Sequence, residues 1–598
     1  MMHNLKRMIV ALGALSILFM FNNCGQLKAV GGSSASEASV SPLPSPTSSP
    51  SPVSSAPSQY SGKSFTGWAL QFIETDLTTA YPNVQYYSRF AVVGGLYPYT
   101  FQLLQAPSGM QIQTRTGEIK WTPTQNNTSA TVEVQVTDSS GETQTHTYSV
   151  QVTTNNFYFI DSASGNDSNA GTLAQPFQTL LGVQSKKLPM TATLYIRGGM
   201  STTGESYPST GIQMSDMPGI WMAYPGDTMP TLDCQGQRWC IGLNGDLQHP
   251  ALFQGLEITN CAFKYFSVNG DKSPITWRNN IMHDIHVTSS GDGYENPSFI
   301  FTWDYTGGTT PIYQNLILQN NEVYNLYNYF NTTTNKYDIH ISPATFYDVS
   351  HSLEEDNVIH DIYAGTCIED KDDGWYNTYR HNTCYNIDGE SEVGLYSTYT
   401  QGQIEVENNL LIGNSKGRNL IEVGSQPGYI KNIYIHNNTM VNGQIDFGAP
   451  IYNQGPNTYV IAHNIFYDDS STAPFQFYGL NGSFDPSMVG KQSCVGSLST
   501  CPLITASQAY VSAILTGNEA QFENNLYWSP DPTQKMMTWS WQQYGINLAG
   551  WQKLNFDATG SVFFTQQPSF STDGTYSLAP NDPDYGAYGK DFSAGAWQ

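Results

Sequence analysis

Seven segments of this chain repeat one short template: R-N-N-I-M-H-D from Arg278, Q-N-N-E-V-Y-N from Gln319, E-D-N-V-I-H-D from Glu355, R-H-N-T-C-Y-N from Arg380, E-N-N-L-L-I-G from Glu407, H-N-N-T-M-V-N from His436 and A-H-N-I-F-Y-D from Ala462. The shared core is an asparagine, any residue, two largely apolar or aromatic positions, and then Asp or Asn, with Gly413 the exception. Asn357, Asn382, Asn409, Asn438 and Asn464 step by 25, 27, 29 and 26 residues. That is the length of a coil of three short strands rather than of a helical repeat. Coils stack about 4.8 Å apart, so each asparagine can bond to its neighbours above and below and satisfy turn backbone in place of water. The period therefore predicts an all-β solenoid of parallel strands.

The column two places after the asparagine reads Met282, Val323, Ile359, Cys384, Leu411, Met440 and Phe466, which marks an interior file and makes Cys384 a buried core thiol. The next column holds His283, Tyr324, His360, Tyr385 and Tyr467. Facing outward it would offer a strip of rings to a sugar; facing inward it would stack in the core. Beyond Asp469 the template lapses, which predicts an inserted loop near 470–520 before E-N-N-L-Y-W-S resumes at Glu523.

Upstream, Phe157-Tyr158-Phe159-Ile160-Asp161-Ser162-Ala163-Ser164-Gly165-Asn166-Asp167, then Gly171-Thr172 and Pro176-Phe177-Gln178-Thr179, resembles the opening of pectate-lyase-like right-handed parallel β-helix proteins. Tyr576-Ser577-Leu578-Ala579-Pro580 and Gly595-Ala596-Trp597 resemble their closing segment, where a C-terminal cap shields the last apolar rung. The resemblance assigns 156–598 to that fold and implies a polysaccharide partner.

A smaller unit precedes it at 64–153. Alternation over Ala130 to Val136 and Thr145 to Val152, with the turn Asp138-Ser139-Ser140-Gly141 between them, predicts antiparallel strands. Gly94-Gly95-Leu96-Tyr97-Pro98-Tyr99-Thr100-Phe101, Thr116-Gly117-Glu118-Ile119-Lys120-Trp121-Thr122-Pro123 and Val136-Thr137-Asp138 resemble immunoglobulin-like, cadherin-like modules of bacterial surface proteins. Such modules imply a small β-sandwich that acts as a rigid extension of a stalk.

The N-terminus predicts export. Lys6-Arg7 precedes an apolar run, Met8 to Phe21, that is too short to span a bilayer comfortably. Phe21-Asn22-Asn23-Cys24-Gly25 resembles a lipoprotein signal, implying a signal peptide at 1–24, a lipid on Cys24 and residence at the cell envelope, with the outer membrane favoured because Gly25 carries no acidic retention signal. The Ser/Pro-rich linker at 25–63 cannot form a core and reads as a tether. Seven cysteines follow Cys24, so at least one is unpaired within the chain, and Cys234 with Cys240 and Cys494 with Cys501 are spaced for small disulfide loops.

Charge narrows the function. Only 12% of residues are charged and the formal net charge is -25, so the field repels nucleic acid. Against that background Glu369-Asp370-Lys371-Asp372-Asp373 is an anomaly and predicts a loop at a coil corner. It is similar in style to rungs of β-helix polysaccharide lyases, which implies Lys371 as Brønsted base and Glu369, Asp370, Asp372 and Asp373 as calcium-facing oxygens. Four acids around one lysine would hold it protonated unless calcium compensates, so the lyase reading requires the ion. Arg380 is a second catalytic candidate, set against a column Glu355, Arg380, Glu407 that reads as an ion-pair stack. A glycoside hydrolase needs instead two carboxylates about 5 to 9.5 Å apart, with Asp388, Glu390 and Glu392 as candidates. Gly413-Asn414-Ser415-Lys416-Gly417 matches G-x-S-x-G by letter but enters no helix and reads as a turn. The remaining alternative is a non-catalytic adhesin or scaffold that presents a long rigid face.

Overall fold

The computed structural model describes residues between 68 and 563, with breaks of which 478–519 is the longest. The expected signal peptide, Cys24, the linker, the pair Cys494 with Cys501 and the C-terminal cap lie outside the described residues.

From Phe157 onward the chain winds into three long sheets of 12, 12 and 11 strands, and strands contributed by successive coils are neighbours in each. This is a right-handed parallel β-helix. The first sheet begins with Phe157–Ile160 and runs through Thr378–Arg380 to Ala520–Glu523. The second carries the template strands, Ile281–His286 to Leu526–Trp528 among them. The third includes Ile368–Lys371, Ser391–Tyr396, Arg418–Val423 and Gly443–Phe447.

The template is a code for two bends. The residue before each ladder asparagine (Asn279, Asn320, Asp356, His381, Asn408, Asn437, His463, Asn524) has φ between 54° and 58°. This left-handed region favours Asn, Asp and His among non-glycine residues. Asp284, Asn325, Asp361, Asn386 and Asn442, at the template's last position, also have φ between 54° and 63°. Between the bends, Met282, Val323, Ile359, Cys384, Leu411, Met440 and Phe466 fill the interior in register.

Asn280, Asn321, Asn357, Asn382, Asn409, Asn438, Asn464 and Asn525 form the expected ladder, each amide donating to the next Oδ1 at 2.9–3.2 Å. Each donor also serves a carbonyl of the preceding coil, as Asn409 Nδ2 does for Tyr379 O at 2.9 Å. Asn409→Ala would take the ladder partner from the Tyr379 carbonyl and from the backbone N–H of Asn382, and leave the Asn382 amide only its bond to Glu354 O. At about 1–3 kcal/mol per stranded buried group, urea denaturation should show a loss of roughly 3 kcal/mol or more.

Three sequence expectations need correction. Cys384 is bonded to Cys367 (Cα–Cα 6.1 Å), so it is not a thiol; Cys234–Cys240 closes as expected, and the free cysteine among the described residues is buried Cys261. Within the expected insertion, Phe475–Phe477 forms a rung of the third sheet between Ile445–Phe447 and Met537–Trp539. The ladder asparagine marks only the bend into the second sheet, so a third-sheet strand carries no sign of itself in the template.

The third correction concerns the sandwich. Its sheets, Thr79–Ala80, Thr143–Val152, Thr128–Thr137, Thr100–Gln105 and Tyr86–Arg89, Glu118–Trp121, Gln111–Ile112, enclose Tyr86, Ile119, Val132, Val134, Val136 and Val150. Rather than extending as a spacer, it is docked on the first sheet of the β-helix. Ile73, Ala91 and Val93 pack on Ile317 and Leu353, and Trp68 and Leu96 on Tyr434, Val460 and Ala462. Between these apolar contacts runs a buried polar file, Arg278, Gln319, Glu355, Arg380, Glu407 and His436, one residue per coil. Its side chains grip the main chain of the sandwich: Arg278 Nη2 donates to Arg89 O (2.6 Å), Gln319 Nε2 to Phe90 O (3.2 Å) and Arg380 Nη2 to Val92 O (2.6 Å). Arg89 returns an ion pair to Glu355 Oε2 at 3.1 Å and another to Asp356.

Glu405, Glu407 and His436 at the far end could converge on a metal, their ligand atoms lying within 4.8 Å of one another. The imidazolium already satisfies them: His436 Nε2 is 2.9 Å from Glu405 Oε1. Burial alone would depress His436, but the hydrogen bond to Glu405 and the charges of Glu407 and Glu405 outweigh it, pushing it from 6.5 up to about 9. A raised folded value means the stabilisation is complete below about pH 6.5 and is lost as pH rises through about 9. Glu407, pushed up to about 7 by burial and Glu405, titrates in the same sense. The melting temperature should therefore fall from pH 6.5 to 9, and His436→Gln should flatten that slope.

Candidate catalytic face

Glu369, Asp370 and Lys371 lie in a strand, not in the expected corner loop. Ile368–Lys371 pairs with Ala344–Tyr347 on one side and Ser391–Tyr396 on the other. Strand alternation sends the neighbours to opposite faces. Asp370 points into the coil between Phe346 and Leu395, accepting from Asn377 Nδ2 (2.8 Å) and Tyr379 OH (2.7 Å). Beside it Glu354 is also interior, and burial together with the Asp370 charge holds its carboxyl well above the usual range. Glu369 and Lys371 face outward, with Lys371 Nζ 3.7 Å from Glu369 Oε1 and 5.2 Å above the Tyr347 ring. Asp372 turns away at φ 63°, and Asp373 lies outside the described residues. Asp370 is therefore separated by the sheet from the acid with which it was grouped.

Burial by itself would depress Lys371, yet the Glu369 charge and the Tyr347 contact prevail and hold its ammonium above the ordinary lysine range. Arg380 is on a different sheet, in the seam beneath the sandwich, where Nε donates to Glu355 Oε1 at 2.7 Å and Nη1 to Tyr99 OH at 3.0 Å. The expected ion-pair stack with Glu355 and Glu407 is present in register. Lys371 and Arg380 do not meet.

Outward on the third sheet, one column reads Thr345, Glu369, Gly394, Glu422 and Asp446 on consecutive rungs. Gly394 makes the column passable for Tyr396: a Cβ there would lie 2.4 Å from a Tyr396 ring atom. The ring instead crosses the gap, and its hydroxyl donates to Glu422 Oε2 at 3.2 Å. Glu422 and Asp446 sit on adjoining strands, about 4.8 Å apart at the backbone. Asp446 Oδ2 accepts from Asn419 Nδ2 (2.8 Å), whose own Oδ1 is held by Gln444 Nε2 (2.9 Å). Asp446 Oδ1 is buried with no hydrogen-bond partner among the described residues. Burial, then repulsion from Glu422, pushes the Asp446 carboxyl up to about 9. With Oδ2 occupied as an acceptor, the proton belongs on Oδ1.

Nothing in the asparagine template points to this pair. The available signal was an acid between apolar neighbours, Leu420-Ile421-Glu422-Val423 and Ile445-Asp446-Phe447, one coil apart, the pattern also made by Ile368-Glu369. The hydrolase candidates chosen from sequence are not gathered: Glu392 is buried in Ser391–Tyr396, Asp388 is exposed at the end of Thr383–Asp388, and Glu390 lies outside the described residues. On the second sheet His283, Tyr324, His360 and Tyr385 face outward, stacked 4.7–5.0 Å apart with interplanar angles of 2–6°. Because each ring covers the face of the next, this file shows solvent mainly edges, which a sugar face does not stack on.

Residues 68–153 match the family described as Putative Ig domain (He_PIG). A comparison with curated proteins found no match. Among solved structures, the chain is similar to a GH136 lacto-N-biosidase from Eubacterium ramulus at 12% identity and TM-score 0.30, over 62% of this chain and 64% of that one, so it spans less than two thirds of that protein. It is also similar to a Family 28 exopolygalacturonase from Yersinia enterocolitica at 9% identity and TM-score 0.29, over 83% and 90% of the two chains.

Proposed function

We propose that the chain is an envelope-tethered, polysaccharide-binding β-helix protein, anchored through Cys24, that hydrolyses a glycosidic bond with Glu422 and Asp446. The observation that carries this reading is a pair of carboxyls on adjoining rungs in unlike environments, one a buried acid pushed up to about 9 by burial and by the other's charge, the other partly exposed. Such a division assigns acid and base roles. Asp446 Oδ1–H protonates the leaving oxygen, and the Glu422 carboxylate attacks the anomeric carbon. Water, giving its proton to Asp446, then releases the sugar, and the rung spacing of about 4.8 Å between the two acids favours the short separation that gives retention of configuration. Tyr396 OH on Glu422 Oε2 fixes the nucleophile, and Asn419 fixes the acid.

Elimination at Lys371 is less well supported, because the sheet separates Asp370 from Glu369 and so divides the acids that would hold the calcium this reaction requires. The test incubates the chain with neutral and uronate glycans, with and without calcium. Reducing ends released without new ultraviolet absorbance support hydrolysis. Unsaturated uronate products that depend on calcium would replace it with the lyase, and glycan retention without cleavage with an adhesin.

A further inference from the structure

A cavity of about 340 Å³ opens between the sandwich and the β-helix, and neither part encloses it alone. The size is at the lower end of the roughly 300–1,000 Å³ of small-ligand sites, which form preferentially where two domains meet. Tyr97, Tyr99 and Phe101 supply ring walls from the sandwich. Thr116 and Arg115 stand on the same side, with Asn320, Asp356 and His381 opposite on the β-helix.

The charges around it balance. Arg89, Arg115 and Arg380 face Glu118, Glu355 and Asp356, and the seam ion pairs already commit Arg89 and Arg380 to Glu355, and Arg89 to Asp356 as well. A lining without net charge offers little to a bare anion or cation. Its interleaved donors and acceptors beside aromatic walls suit a ring bearing many neutral hydroxyls, with one apolar face. The polar groups are also set in advance: His381 Nδ1 lies 3.2 Å from Asp356 Oδ1, and the His381 ring packs edge-on to Tyr97 at 4.6 Å. Both side chains of the His381–Asp356 pair keep 14% exposure, so they are within reach of a ligand. Binding there would require little further ordering.

We propose that this seam cavity is a second saccharide site, one that takes a neutral sugar unit and lies on a different sheet from the carboxylate pair. It rests on the reading that the partner is a glycan, but not on hydrolysis. Titration calorimetry of the full chain with short oligosaccharides of glucose, galactose, mannose and xylose, and with oligogalacturonate as the charged control, tests it. Saturable binding of a neutral probe is expected, weakened about tenfold or more by Thr116→Trp, which fills the cavity, and also weakened by Arg115→Ala should the bulkier variant unfold. Glu422→Gln should leave this binding unchanged even where it abolishes cleavage, so failure of the hydrolase reading leaves the site standing. No binding of any neutral probe, binding indifferent to both cavity variants, or preference for oligogalacturonate would overturn the proposal.

Discussion

Arg380→Ala should lower folding stability by about 3–5 kcal/mol, a larger loss than other single substitutions in the seam. Arg380 is wholly buried and holds Glu355 Oε1 at 2.7 Å, Tyr99 OH at 3.0 Å and the Val92 carbonyl at 2.6 Å, with Glu407 at 3.6 Å. Truncation would leave Glu355 to Arg89 and Gln319, and Glu407 to the Asn408 amide and a more distant His436, while orphaning a carbonyl of the docked sandwich. Chemical denaturation would measure the loss. Cleavage per folded molecule should stay near the parent rate, because Arg380 and the carboxylate pair are on different sheets. A stable variant with no activity would instead return Arg380 to the chemistry.

The second large effect belongs to Asp446. Asp446→Asn keeps the shape but removes the donor proton, and should reduce kcat by about 10²–10⁴-fold, as should Glu422→Gln. The double variant should be little worse than either single one, because the two act as a unit. Loss of the buried acid should also remove the alkaline limb of the pH–rate profile, which reports the acid held at about 9. Proton NMR of the first product should show retained anomeric configuration; inversion would overturn the role of Glu422 as nucleophile.

The scaffold was legible because two of its constraints act on single residues. A left-handed bend admits few side chains other than Asn, Asp, His and Gly, and an amide file requires asparagine at every coil, so both leave letters in the sequence. The site left none of that kind. Glu422 and Asp446 depend on which third-sheet strands become neighbours, and the coils between their asparagines vary in length, so spacing from the ladder does not align them. The acidic run drew attention by its density, yet strand alternation divides it between inside and outside. Docking of the sandwich was equally hidden, since Arg380, Glu355 and Glu407 read correctly as a stack while what lies over them comes from more than two hundred residues upstream.

The sandwich also decides how load reaches the β-helix. Trp68 packs on Tyr376 and Tyr434, well along the solenoid, whereas the chain leaves the sandwich at Phe157 to begin the first rung. A tug arriving at Trp68 therefore meets the flank of the cylinder, where Arg278, Gln319 and Arg380 grip neighbouring carbonyls side by side and must yield together. The first coil, where Tyr81 packs edge-on to Phe157 and Phe159, would share that strain with later coils rather than peel away one strand at a time.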